Sequence, residues 1–426
     1  MPQYIIFVLS ACSLPVYFQQ SFIPHLKQGL IKMNKVFTLL ALSTLIGTAS
    51  AHAGTINIGD SKTDLGGLNI GGAVRGAYVY KDFADDMSEG SSNGQFKFLD
   101  IKLMLNYENP NWLASFEARC YQYDRLCDAI FVRDAWLGYK LSEKSRVSVG
   151  QQDVEFGFGR YWGNTNYGSL FSSMGFEGVE NVGIKYNLNQ NDYAFALGFY
   201  PKDGGNFKGV SKDSSRYGVS YVEADDIENG THIEEENIWA TRFAKTFKID
   251  AEKNFKTEVG ASYLHSDLDN RISGETGKRD SWNAFATTDY QNWQWLVIAG
   301  QQKVDNADAL HPNDSTLGAR DYSYQVANDG KFMLNEINYS IKQPFENVPE
   351  IKPYLSYGKY YKDLAGSLDS ERINAGVYFF YKDIGVQAEY IISKNDPAVG
   401  GSSTSLAQGD NQDTNKMFAF SIGYFF

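Results

Sequence analysis

The chain has 426 residues, a formal net charge of −12 and three cysteines. Tyr 28, Phe 28 and Gly 40 against Pro 10 make an aromatic, turn-rich composition that suits strands better than helices. The acidic balance argues against a nucleic-acid role, and no segment of the expected mature chain reaches the roughly 18 unbroken apolar residues of a membrane helix.

The N-terminus reads as an export address. From Met33 come Lys35, an apolar run from Val36 to Ile46 and small residues closing on Ala51-His52-Ala53, the order of a cleavable signal. Cleavage is expected after Ala53, so that residues 1–53 form the signal. Residues 1–32 read as an over-extended start, with Met33 the true initiator. The rival is a lipoprotein signal at Leu9-Ser10-Ala11-Cys12, which lacks a positive n-region. Cleavage takes away Lys27, Lys32 and Lys35 and no acid, leaving 36 basic against 51 acidic residues, a net of −15. Residues 54–70 read as a short periplasmic segment, and residues 71–426 as the folded body.

Within the body, apolar residues alternate with polar ones. Leu99, Ile101, Leu103, Leu105 and Tyr107 share one parity, and Asp100, Lys102, Met104 and Asn106 share the other. Val182, Ile184, Tyr186 and Leu188 repeat the pattern, as do Ile373, Ala375, Val377, Phe379 and Tyr381. Such strands put one face in an apolar medium and the other near water.

Cys120 and Cys127 face each other across a short hairpin link, and in an oxidising compartment they are expected to form a disulfide. Two reduced, packed cysteines are the alternative. No C-x-x-C is present, so neither reading implies redox catalysis.

The connections separate a membrane barrel from a sandwich. Sixteen segments of about ten residues, the length that crosses a bilayer at a tilt, run from 71–80 and 96–107 to 384–394 and 416–426. Short links, such as Glu108-Asn109-Pro110-Asn111, Gln291-Asn292 and Lys382-Asp383, alternate with long ones, including 156–179, 201–236, 304–330 and 395–415. An even strand count with long loops on one side only predicts an all-β, transmembrane antiparallel barrel of about 16 strands, with short periplasmic turns and long extracellular loops. Closure removes the unpaired edges that hydrocarbon cannot accept, and sixteen strands enclose an aqueous channel. Trp112, Trp282, Tyr290, Trp293 and Trp295 lie near the expected strand ends, where their rings suit the membrane interface. Asp85-Asp86, Asp225-Asp226 and Glu234-Glu235-Glu236 read as solvated loop charge, with divalent-cation bridging near lipopolysaccharide the alternative.

The last strand is the most specific feature. Phe418, Phe420, Ile422, Tyr424 and Phe426 share one parity, and the chain ends on the aromatic. Here the sequence resembles Gram-negative outer-membrane porins, whose terminal aromatic strand is an assembly signal for the barrel-assembly machinery. A narrower resemblance begins at Asp134-Ala135-Trp136-Leu137-Gly138-Tyr139-Lys140 and continues through Val147-Ser148-Val149-Gly150-Gln151. It is similar to the phosphate-selective porin family, where a Lys and a Pro often follow shortly. This chain has Gln152-Asp153-Val154-Glu155-Phe156 instead, so the fold and channel class carry over and the phosphate selectivity does not.

In many porins the link after the fifth strand folds back and narrows the pore, which implies that role for Phe156 to Val179. Its glycines at 157, 159, 163, 168, 175 and 178 permit tight turns, and Arg160, Tyr161, Trp162, Asn164, Asn166 and Tyr167 offer charge, stacking surface and amides. These are the expected constriction residues, an ordinary packed surface loop being the alternative. Sugar selectivity would lean on Trp162 and Tyr167, and anion selectivity on Arg160, Arg119 and Arg75. Arg75, Lys102, Glu117, Arg119, Lys185, Arg242, Glu336, Arg372 and Glu389 sit on the inward parity. An Arg or Lys at the lipid midplane would cost about 2–4 kcal/mol, so these residues are expected on a water-facing wall.

Enzyme readings have little to stand on. The mature histidines are His232, His265 and His311, and no H-E-x-x-H spacing occurs. A lipase-like barrel needs a Ser and His together on its outer wall, whereas His265 and Ser266 are adjacent and so point to opposite faces of a strand. No cofactor is expected. The sequence therefore implies a passive outer-membrane channel for small hydrophilic solutes or ions, as a homotrimer among lipid and lipopolysaccharide. A non-conducting receptor or adhesion barrel, acting through 201–236 and 304–330, is the alternative.

Overall fold

Alternation in the sequence becomes alternation in burial. The computed structural model describes residues 55–83, 94–122, 125–127, 129–203, 218–222, 230–319 and 322–426. The expected signal, Asp85-Asp86 and Asp225-Asp226 lie outside the described residues.

The wall opens with β1 (Gly67–Lys81), β2 (Gln95–Glu108), β3 (Trp112–Tyr121) and β4 (Ala129–Ser142). It continues through β5 (Ser145–Asp153), β6 (Glu180–Gln190), β7 (Tyr193–Lys202) and β8 (Ile233–Asp250). Next come β9 (Phe255–Asn270), β10 (Thr276–Tyr290), β11 (Trp293–Asp305) and β12 (Gly330–Tyr339), the last extended past Ser340 by Ile341–Phe345. The wall ends with β13 (Val348–Lys362), β14 (Ser370–Tyr381), β15 (Ile384–Lys394) and β16 (Asn415–Phe425). Each strand runs antiparallel to its chain neighbours, and β1 pairs with β16 from Ala73↔Phe425 to Lys81↔Met417. The result, among the described residues, is a closed barrel of the sixteen strands expected.

The short turns carry the positive φ that tight hairpins require, at Asn191, Asn254, Gln291, Asn347 and Lys382. Strands run further toward the long links than the sequence suggested, 281–290 becoming Thr276–Tyr290 and 237–248 becoming Ile233–Asp250. Trp282 therefore sits within β10, and with Tyr290 it marks two aromatic levels eight residues apart. At roughly 3.4 Å per residue they are about 27 Å apart along the strand, which a tilt of about 35–45° reduces to about 20 Å, within the roughly 25 Å apolar band of such barrels. β1 starts earlier than residue 71, because Gly67–Ile70 pairs with Ile56–Gly59 on one side and with β2 on the other.

Three of the register shifts in the wall change which side chains reach the interior. Arg75 pairs with Asp100 and Gly76 with Phe98, so Leu99 is the extra residue. Leu99, which sequence parity groups with the exposed Ile101 and Leu103, is buried instead. In β4 the pairs Glu117↔Asp134 and Ala118↔Val132 skip Arg133, turning both Arg133 and Asp134 inward. A register shift in β8 between Glu236 and Trp239 leaves Ile238 buried and Asn237 exposed. Glu234-Glu235-Glu236 is consequently strand and not solvated loop. Glu234 pairs with Lys202 and Arg271, and Glu235 accepts from Ser266 at 2.6 Å and lies 3.4 Å from Arg279.

The long links interlock at one end of the barrel. Asp314–Ala319 and Tyr322–Ala327 form a hairpin that also pairs with Ser220–Tyr221, structure that reading 304–330 as plain loop did not foresee. Val326 forms a parallel bridge with Leu406. Beneath this cap an apolar core fills part of the barrel, joining Phe156, Trp162, Phe171 and Phe176 to Leu264, Phe285, Ile298, Phe332 and Tyr360. A second core gathers Leu99, Tyr121, Phe131, Tyr167, Ile391 and Met417.

Candidate functional site

Residues Phe156 to Val179, between β5 and β6, turn into the barrel. Ser169 caps a short 3₁₀ helix, Leu170–Met174, by accepting from the Phe171 amide, and Gly175 ends it at φ 68°. Trp162 is the hub. It is fully buried, its Nε1 donates to the Phe156 carbonyl at 3.2 Å, and its ring lies 5.6–6.1 Å from Phe156, Phe171, Phe176 and Phe332. Gly163 is required by close approach, since a Cβ there would meet Glu336 Oε2 at 2.2 Å.

The wall holds this loop by its backbone. On β8, Arg242 donates to the Gly157 carbonyl at 2.8 Å, and on β9 Ser262 Oγ accepts from the Gly157 amide at 3.0 Å. Arg279 on β10 donates to the Met174 carbonyl at 3.1 Å. On β12, Glu336 accepts from the Asn164 amide at 3.0 Å; on β15, Gln387 donates to the Asn164 carbonyl at 3.1 Å and Glu389 accepts from the Tyr167 amide at 3.0 Å. Arg372 on β14 reaches the Gly168 and Ser169 carbonyls, each at 3.0 Å, and makes a two-point pair with Asp396 at 2.6 and 2.9 Å. Asn166 Nδ2 reaches Ser421 on β16 at 3.4 Å.

These contacts revise several expectations. Trp162 and Tyr167 are fully buried and hold the loop, so neither offers a ring for a solute to stack on. Arg242, Arg372, Glu336 and Glu389 are inward as expected, yet they clamp the loop instead of forming a solvated wall. Loop backbone groups need partners once they leave water, and these side chains supply them. Inside the loop, Glu177 accepts from the Trp162 amide at 3.2 Å and from Ser169 N and Oγ at 3.1 and 2.6 Å. Burial pushes the Glu177 carboxyl above its usual range, against those hydrogen bonds.

Toward β1–β6 the loop presents Arg160 and Tyr161, both partly exposed. Arg160 makes a two-point pair with Asp134 at 2.8 and 2.6 Å, with Asp153 at 3.5 Å and Glu180 at 3.7 Å beyond. Burial alone would lower the Arg160 guanidinium; the surrounding carboxylates outweigh it and hold it well above its ordinary value. Arg133 lies over the Tyr161 ring, 5.0 Å from its centroid, and donates to Glu180 at 2.9 Å. Arg75 pairs with Asp100 at 2.6 Å through both nitrogens, and Arg119 pairs with Glu117. Lys185 lies 3.0 Å from Asp153 and 3.4 Å from Glu155. The site thus includes Arg133, Asp134, Asp153, Glu155 and Glu180, which the sequence reading did not select. Asp134 stood inside the motif quoted from it, but the bulge that turns Arg133 inward leaves no mark in the sequence.

Residues 75–247 match the family described as phosphate-selective porin O and P. By structure the chain is similar to the outer-membrane channel DcaP of Acinetobacter baumannii, at a TM-score of 0.52 and 14% identity over 86% of this chain and 99% of that one. It is likewise similar to an anion-selective porin from Comamonas acidovorans, at a TM-score of 0.51 and 11% identity over 84% and 99%. The fold is that of an outer-membrane porin. No curated protein matches the chain by sequence.

The remaining selected residues take these places in the barrel. Cys120 and Cys127 are bonded, with Cα atoms 4.9 Å apart, joining the end of β3 to the link before β4. On β16, Phe418, Phe420, Ile422 and Tyr424 face outward while Met417, Ala419, Ser421 and Gly423 face in. Phe426 closes the sheet against Gly72.

Proposed function

We propose that the porin is a passive channel for small hydrophilic solutes or ions, narrowed by residues 156–179. The supporting observation is the path of that loop, which is hydrogen-bonded to β8, β9, β10, β12, β14, β15 and β16 and presents Arg160 and Tyr161 toward β1–β6. Diffusion down a gradient needs no covalent chemistry. His265 is consistent with that: its Nδ1 lies 2.9 Å from Asp280, while Ser266, on the opposite face, donates to Glu235. A homotrimer, contact with lipid and lipopolysaccharide and delivery by the barrel-assembly machinery complete the reading. Purified protein in planar bilayers tests it: discrete conductance steps are expected, and a correctly folded but silent protein would sink it. Cross-linking of the detergent-extracted protein tests the trimer.

The interlocked cap favours a second reading, a receptor barrel. The Asp314–Ala319 hairpin and the Val326↔Leu406 bridge tie three extracellular links together. A silent barrel that keeps its heat-resistant fold would support that reading instead.

A further inference from the structure

Twelve charged side chains gather on β1–β6 and the adjoining ends of the 156–179 loop. Arg75, Lys102, Arg119, Arg133, Arg160 and Lys185 supply six positive charges; Asp100, Glu117, Asp134, Asp153, Glu155 and Glu180 supply six negative ones. Five of the cations are spoken for. Arg75 is held by Asp100, Arg119 by Glu117, Arg133 by Glu180, Arg160 by Asp134, and Lys185 by Asp153 and Glu155. Lys102 differs: among the described residues it has neither an ion pair nor a hydrogen bond. It also stands directly across from Arg119 in the β2–β3 ladder. Like charges in that position repel, and a largely buried ammonium without a direct partner is costly; the attraction of Asp100 and Glu117, from beyond contact distance, offsets only part of that cost.

We propose that solutes pass along this electroneutral seam, that Lys102 is its specificity-determining cation, and that the seam favours small zwitterions over phosphate. The proposal rests on the channel reading and names its solute class. A phosphate dianion would give up water to enter a lining of zero net charge, where each of the four guanidiniums already pairs with a carboxylate. A small zwitterion meets both of its needs. The two contacts come in succession along the seam: its carboxylate meets Lys102 on β2, and its ammonium meets the acidic edge at Asp153 and Glu155, whose side chains stay 23% and 19% exposed.

Planar-bilayer recordings of the full-length protein in a potassium chloride gradient test this. The wild type is expected to select weakly, with the two permeabilities within about threefold of each other, as a lining of mixed sign implies. Millimolar inorganic phosphate should leave the chloride current unchanged, and glycine should swell loaded liposomes faster than phosphate does. Lys102→Gln should move the reversal potential toward the cation and slow glycine entry, while Lys102→Arg keeps both near wild type; a heat-resistant band on gels verifies each barrel. Strong anion selectivity or phosphate block of the wild type would overturn the proposal and leave the channel standing. So would a folded Lys102→Gln with unchanged selectivity. Absence of any conductance would instead overturn the channel reading, and this inference with it.

Discussion

Gly72 and Phe426 exchange two backbone hydrogen bonds, Gly72 N to Phe426 O at 2.8 Å and Phe426 N to Gly72 O at 3.0 Å. The last residue of the chain is thus the last rung of the seam that joins β16 to β1. The Phe426 ring also covers Gly72, where an added Cβ would come within 2.5 Å of Cζ and 2.7 Å of the Lys102 carbonyl.

Gly72→Val should therefore weaken closure by about 1–3 kcal/mol, the usual cost of overpacking, and lower the temperature at which the barrel loses its heat-resistant band. Equal melting of the Gly72 variant and wild type would show that the seam does not depend on this contact.

Trp162→Ala removes the centre of the aromatic hub. A buried Trp replaced by Ala costs about 3–5 kcal/mol. Because the wall strands keep their ladders, the barrel should persist while the loop loosens, giving larger and noisier conductance steps. Unchanged steps would mean that the loop does not limit the passage.

Glu177 gives a pH dependence with a definite sign. Its carboxyl lies above the usual 4.5 in the folded protein because it is buried, so its contribution is fully present below that usual value and is lost as pH rises through the folded one. Amide exchange of residues 160–178 should quicken with rising pH beyond its intrinsic dependence, and Glu177→Gln should flatten that excess. A persistent excess in the variant would assign the effect to another group.

Arg160→Ala leaves Asp134, 4% exposed, without its cation. Breaking such a buried pair typically costs about 3–5 kcal/mol, and the lost positive charge should shift selectivity toward cations. Adding Asp134→Asn should recover most of the stability. If Arg160→Ala changes neither conductance nor selectivity, Arg160 is not at the constriction.

Much of the fold could be read from the sequence because a barrel wall repeats one rule, alternate parity between turns. The outward row on β16 follows it directly. The misplacements share one cause: a single extra residue at Leu99 or Arg133 reverses the parity beyond it, and no local residue preference announces it. Trp162 and Tyr167 were misread for a different reason. Aromatics in a glycine-rich loop suit solute stacking and dry packing equally well, and only the meeting with Phe332 and Glu389 on distant strands decides between them.

Whether the passage runs beside Arg160 and Tyr161 is tested most directly by a single cysteine at Tyr161. Cys120 and Cys127 are bonded to each other, so Tyr161→Cys supplies a thiol distinct from that pair. A charged, thiol-specific reagent added to the bilayer should cut the conductance of Tyr161→Cys in discrete steps and leave the wild type untouched. Full labelling of that cysteine with no change in current would contradict a passage through the seam.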